Sequence, residues 1–467
     1  MIRFFRLSDS LKHGKLRFFV LLTAVSLLLL LPASAETDVY KNLFDNPEVN
    51  ALIDANHEEV VKNGWAELRI PESVHQIPVE FIDPHAMEAA QVLLDAGYDV
   101  CIIGGAVRDL VLNEKSMDFD LTTNATIEEQ KALFGDQLTF HPAGKYQFGY
   151  LHYPDEIVDL ATSVNIPAFL AGMPGVPEFD TEALYSDNFL FDSFERDMTI
   201  NAIYYDVATH ELVTYHGGLY DIREKYLDTI ADSDTVYRND PNAAVRALRF
   251  HARFGYRFSG RVEDALRANA ADYALLNAPG AMRANMPRFF TAGYAVKSLD
   301  VLVEYGVFDK VYFPIAELYQ TDEYMAYLRT SFAWMDEWYA SGYLLENELP
   351  MAVILWPAVA QETDGLSLAE RAAAVFEAQQ KTILLYDDDI QKLIDIYELS
   401  EKMAGAAEDE EAAEIMQVPQ FENAYELLMI RACSDDSLAD AAAFWTEKRD
   451  AALPDHDGVE EELAPAA

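Results

Sequence analysis

The chain has 467 residues, 51% hydrophobic and 24% charged, enough for two to four domains with ordinary cores. Lys and Arg number 34 against 80 Asp and Glu, a formal net charge of -46. That acid excess argues against a tight, non-specific grip on nucleic acid, because neutralising phosphates supplies most of such affinity. The two cysteines, with no Cys/His cluster at ligand spacing, exclude a zinc motif. Cys101 reads as a buried strand residue, and a bridge to Cys433 is open only in an oxidising compartment.

Residues 1–35 have the three-part layout of a secretory signal peptide. Arg3, Arg6, Lys12, Lys15 and Arg17 precede an apolar run from Phe18 to Leu31, and Ala33-Ser34-Ala35 forms a small-x-small cleavage site. The run is shorter than the ~20 residues a bilayer span needs. No later segment is apolar enough to span, so export without a stable membrane span is expected. If the leader does not function, the chain is cytoplasmic.

Residues 36–75 read as a polar lead-in without periodicity. The apolar spacing over 86–97 predicts an amphipathic helix, and 98–103 a short strand broken by Gly104-Gly105. A second helix follows from Ala106 to Leu112, then a strand from Ser116 to Thr122. Thr126 with Glu129 is a capping box for a helix through Phe134. Residues 148–153 and 156–161 read as strands about a Pro154-Asp155 turn. Together these make a compact α/β unit with a mixed sheet. After about Tyr215 helical patterns take over, from 243–254 to Trp445, and the acidic stretch Glu408 to Glu414 reads as a solvated helix surface or loop. The end from Pro454 is too polar to fold alone.

Chemistry concentrates in Ile103 to Glu129. Asp118 and Asp120, two apart on a strand, send both side chains from one face. Two close carboxylates call for cations between them, and two Mg²⁺ ions are the natural partners. Gly104-Gly105 lets backbone N–H groups approach phosphate ahead of a helix N-terminus, and Arg108 adds a charge-assisted phosphate contact. Asp159 is the candidate third carboxylate on a neighbouring strand.

The segments GGAVRD…DFDLTTNAT, ERDMTINAIYYD (195–206) and YRNDPNAAVRALRFHARFGY (237–256) closely resemble the bacterial poly(A) polymerase and CCA-adding enzyme family of class II. IPESVHQI (70–77) and the helical part after Leu276 look more like the poly(A) polymerase branch. The resemblance covers roughly residues 70–450. It implies an α+β fold, with a polymerase-β-like head over 76–215, a helical neck over 216–290 and a helical body over 291–453. It implies transfer of AMP from ATP to an RNA 3′ end with two Mg²⁺, by a monomer. On it, Asp118, Asp120 and Asp159 match the metal-binding carboxylates, and Arg196, Asp197 and Asn201 the motif that positions ribose and triphosphate.

Departures are specific. The base-reading pattern E-D-x-x-R stands here as Asn239-Asp240-Pro241-Asn242-Ala243. Asp240, Arg246 and Arg249 remain to contact nucleotide, but Ala243 removes donors that a base edge or phosphate needs. Ser163-Val164 stand where Phe-Arg is expected, only Lys145 remains of a basic stretch, and the basic tail is acidic. Two readings follow: an active exported nucleotidyltransferase, or a catalytically weakened member that binds or supports structure outside the cytoplasm.

Overall fold

The structure, a computed structural model, describes residues 42–114, 116, 119–143, 146–362, 365–405 and 409–452. The leader, the acidic tail, Asp118 and Lys145 therefore lie outside the described residues. The chain packs as two compact units that divide between Tyr273 and Ala274.

The first unit opens where the sequence showed no period. Helix α1 (Pro47–Asn63) starts at Asn46, whose side chain accepts the Glu48 N–H, with Pro47 at the first turn, and stops at left-handed Gly64. It buries only Val49, Ile53 and Asn56. That stripe is too narrow to register as periodicity, and the helix is held by its caps and by packing on strand β1 (Leu68–Ile70). The described part of the lead-in, from residue 42, also reaches the main sheet, where β1 pairs antiparallel with β8 (Glu211–Thr214) at one edge.

The predicted elements follow with shifted ends. Helix α2 (Pro84–Asp95) is capped by Asp83, which accepts from the His85 and Ala86 N–H groups. Strand β2 (Val100–Ile103) is buried at all four positions. Helix α3 (Gly105–Val111) leads on to β3 (Asp120–Thr123), shorter than expected. Helix α4 (Ile127–Phe134) carries the Thr126/Glu129 capping box with both bonds formed. Strands β5 (Tyr146–His152) and β6 (Ile157–Thr162) form the expected hairpin. Strand β4 (Leu138–Ala143), which the sequence did not signal, pairs outside β5 as the other edge. After helix α5 (Phe189–Ser193), strand β7 (Ile203–Asp206) completes the order β1-β8-β7-β2-β3-β6-β5-β4, antiparallel except for β3 with β6.

Register decides which face works. Leu138, Leu151, Leu160 and Leu121 share one face and are at most 8% exposed. Helix α4 covers it: Gln130 donates to Thr162 Oγ1 and the Lys131 ammonium lies over the Phe140 ring. The opposite face carries Asp120, Asp159, Tyr150 and Phe148. Beyond β8 the unit continues as helices α6 (Gly218–Glu224), α7 (Ser233–Asn239) and α8 (Pro241–Phe254).

The second unit is helical in all its long elements, including Asp322–Ala340, Leu349–Ala360, Asp387–Ala404, Phe421–Ala432 and Ala439–Ala452. Trp445 is fully buried beside Phe421 and Leu428, and its indole N–H donates to the Met403 carbonyl. The acidic stretch forms a short helix, Asp409–Ile415. Cys101 and Cys433 are both free thiols. Among the described residues no helix is long and apolar enough to cross a membrane.

Candidate active site

Strand β2 ends at Ile103, which pairs with Asp120 at the start of β3. The chain then turns at Gly104, with φ 73° and ψ -132°, a conformation closed to side-chain-bearing residues, and enters α3. A Cβ on Gly104 would stand 3.8 Å from Asp120 Oδ2, so the turn lies directly against the carboxylate. The parallel register that pairs Leu121 with Leu160 sets Asp120 level with Asp159 on the adjacent strand, and neighbouring strands lie ~4.8 Å apart. Tyr150 stands directly across from Asp159 on β5. Its hydroxyl is held above the usual tyrosine range by burial, then by the Asp159 and Asp120 charges. Two of the three expected carboxylates thus share one sheet face, and the third, Asp118, lies outside the described residues. Among the described residues no three acidic, His or Cys side chains are grouped to hold a metal.

Arg108, Asn201, Asp197 and Arg246 form one linked network. The Arg108 guanidinium is 4% exposed. It donates Nη1–H to Asn201 Oδ1 at 2.6 Å and both Nε–H and Nη2–H to Asp109 Oδ1. It also lies against the Phe250 and Phe254 rings, 5.1 and 5.2 Å from their centroids. Burial lowers its pKa, with the Asp109 charge opposing. Asn201 Nδ2 in turn donates to Asp197 Oδ1 at 3.0 Å, beside the Met198 N–H. Burial works against the Asp197 charge, but Arg246, Asn201 and that N–H outweigh it and hold the carboxyl below its usual range.

Arg196 turns to a residue the sequence did not single out. Its Nη2 donates to Asp192 Oδ2 at 2.6 Å, which also accepts from Tyr204 OH. Asp192 Oδ1 takes the Val164 N–H just past the end of β6. The i,i+4 spacing of Asp192 and Arg196 was the available signal. Arg196 Nε is buried and has no hydrogen-bond partner among the described residues. Asp240 caps α8 through the Asn242 N–H, and burial raises its carboxyl against the pull of Arg246. Arg249, one turn beyond Arg246, lies over the Phe250 ring. Ala243, where the pattern has arginine, is 0% exposed and packs in the core.

Comparison with known proteins bears on the fold. Residues 100–228 match the poly A polymerase head domain, and residues 361–466 match the polymerase A arginine-rich C-terminus. That second stretch holds only three arginines, Arg371, Arg431 and Arg449, against 27 Asp and Glu. Poly(A) polymerase I of Escherichia coli O6:H1 is 27% identical over 423 residues, 84% of this chain and 88% of the relative. A CCA-adding enzyme of a Geobacillus species is 28% identical over 237 residues, 49% of this chain and 54% of the relative. Among solved structures, the Bacillus stearothermophilus CCA-adding enzyme in complex with CTP is 21% identical, with a TM-score of 0.57 over 80% of this chain and 84% of that one. The Thermotoga maritima CCA-adding enzyme complexed with tRNA is 17% identical, with a TM-score of 0.54 over 82% and 86%. These likenesses share the fold: a mixed-sheet nucleotidyltransferase head followed by helices.

Proposed function

The chain belongs to the bacterial poly(A) polymerase and CCA-adding nucleotidyltransferase family, and from that premise we propose that it adds nucleotides, AMP from ATP, to an RNA 3′ end without a template. The observation that carries this reading is the placement of Asp120 and Asp159 side by side on one sheet face against the Gly104 turn. Carboxylates so placed fit a hard divalent cation, which takes oxygen ligands, and the resemblance to the family adds Asp118 as the third donor. Mg²⁺ held by Asp118, Asp120 and Asp159 supplies activation of the attacking hydroxyl and neutralisation of triphosphate charge.

The chain's own residues do the rest by positioning. Asp197, kept ionised by Arg246, and Asn201, oriented by Arg108, are bonded to one another and brace the segment that positions the ribose of the incoming nucleotide. Arg108 is an orienting residue in this scheme, since its guanidinium is already committed to Asp109 and Asn201. The N–H left open on Arg196 Nε suits a phosphate oxygen, and Arg249 and Asp240 flank the same helix. Residues 1–35 direct the protein out of the cytoplasm in this proposal.

The test is incorporation. The purified protein is incubated with each NTP, Mg²⁺ or Mn²⁺ and a labelled oligoribonucleotide. Extension with at least one NTP is expected. No extension with any, while a bacterial poly(A) polymerase control works, overturns the reading.

A second reading, a weakened member that binds without polymerising, is favoured by one observation. Ala243 puts core packing where the family pattern has a nucleotide-reading arginine. NTP incorporation that Asp118→Ala abolishes counts against it.

A further inference from the structure

Strand β5 alternates Tyr146, Phe148, Tyr150 and His152, so all four side chains leave one face of the sheet. That face is the one that bears the carboxylates, because Tyr150 pairs with Asp159 and Phe148 with Ala161 two residues on. From β4, His141 pairs with Phe148 and meets the Tyr150 ring edge-on, centroids 5.0 Å apart. Phe148 is 36% exposed, and His141 is exposed.

The electrostatics of this surface are unusual for a nucleic-acid enzyme. Strands β3, β4, β5 and β6 contain no Lys or Arg at all. A polynucleotide laid on these four strands finds no cation among the strand residues for its phosphates, and two carboxylates repel them. What the face offers is ring area, and every base has a π-face to stack on it.

We propose that Phe148 and Tyr150, with His141, form a stacking platform that holds the unpaired 3′-terminal bases of the acceptor strand beside Asp120 and Asp159. This rests on the nucleotidyltransferase reading for its occupant. The platform explains how a chain of net charge -46 engages a polyanion: it grips bases on the sheet and leaves the phosphates to solvent. Binding of this kind depends little on salt, since few counterions are released, and tolerates any base sequence.

The test uses the full chain and a ten-residue oligoriboadenylate with 2-aminopurine as its 3′ base. Stacking quenches this probe, so binding is read without turnover. Phe148→Ala and Tyr150→Ala are each expected to weaken binding about fivefold or more and to relieve the quenching. For Phe148→Ala the KM for NTP is expected to stay unchanged. Phe148→Leu keeps apolar bulk on the strand and is expected to fail like Ala, whereas Phe148→Trp restores quenching. Rescue by Leu overturns the platform, as does equal loss of NTP and acceptor affinity. Quenching intact in a wild-type protein that incorporates no NTP removes the polymerase reading and leaves the platform. Incorporation without quenching does the reverse.

Discussion

Arg246 grips a single oxygen of Asp197 through two nitrogens, Nε at 2.8 Å and Nη2 at 2.7 Å, across 49 residues of chain. The Asp197 side chain is 2% exposed, so its charge depends on this partner. Removing one side of a buried pair leaves an uncompensated charge. Arg246→Ala is expected to cost about 3–5 kcal/mol in denaturant unfolding at neutral pH. The sign with pH is fixed by the depressed carboxyl of Asp197. Its contribution is present above the ordinary carboxylate pKa and is lost as pH falls through the lower native value. The gap between wild type and variant should therefore close in acid, where the stranded carboxylate is protonated. A gap that stays constant down to pH 3 refutes the assignment.

Asp120→Asn and Asp159→Asn are expected to reduce incorporation by about a thousandfold or more with little change in melting temperature, because both sit at a half-exposed face and serve chemistry. Gly104→Ala should behave differently. Its φ of 73° strains any side chain, and the added Cβ would come into contact with Asp120 Oδ2 at 3.8 Å. Loss of about 1–3 kcal/mol of stability together with activity is expected. Calorimetry beside the incorporation assay separates the two classes.

Asp221 carries a pH dependence of opposite sense. It lines a cavity of about 390 Å³ with His57, His216, Asp228 and Arg261. Burial pushes its carboxyl up to about 7, opposed by a hydrogen bond from Thr199. A native value above the unfolded one means the folded state holds the proton longer. Stability then falls as pH rises from about 4 to about 7 and is flat beyond. Asp221→Asn keeps an acceptor for Thr199 and removes the titration. It is expected to raise stability by about 4 kcal/mol at pH 8 and to change nothing at pH 4. Equal effects at both values contradict the shift.

The compartment is settled by the mature N-terminus. Fractionation followed by N-terminal sequencing is expected to find a protein outside the cytoplasm that begins at Glu36. A chain that keeps Met1 in the cytoplasmic fraction refutes export.

The catalytic half of this fold is legible before any coordinates, because its signals are local. A capping box, a glycine turn and alternating apolar strands each depend on residues within one turn or pleat, and Thr126, Gly104 and β5 behave as their neighbours dictate. Helix α1 and strand β4 were not legible. Each is stabilised by partners far along the chain, so neither needs a strong period of its own.

The same division holds for the site. Residue type and spacing named Asp118, Asp120, Asp159 and Arg108, and the resemblance to the family added Arg196, Asp197, Asn201 and Arg246. Neither could say which arginines face a substrate and which face the protein. Only the tertiary structure commits Arg108 to Asn201 and Arg246 to Asp197, because those partners come from other elements, whereas Asp109 and Asp192 are local neighbours of Arg108 and Arg196. Strand register did the remaining work. A shift of one residue would send Tyr150 and Phe148 to the leucine face, and the pairing of Tyr150 with Asp159 places them instead beside the carboxylates.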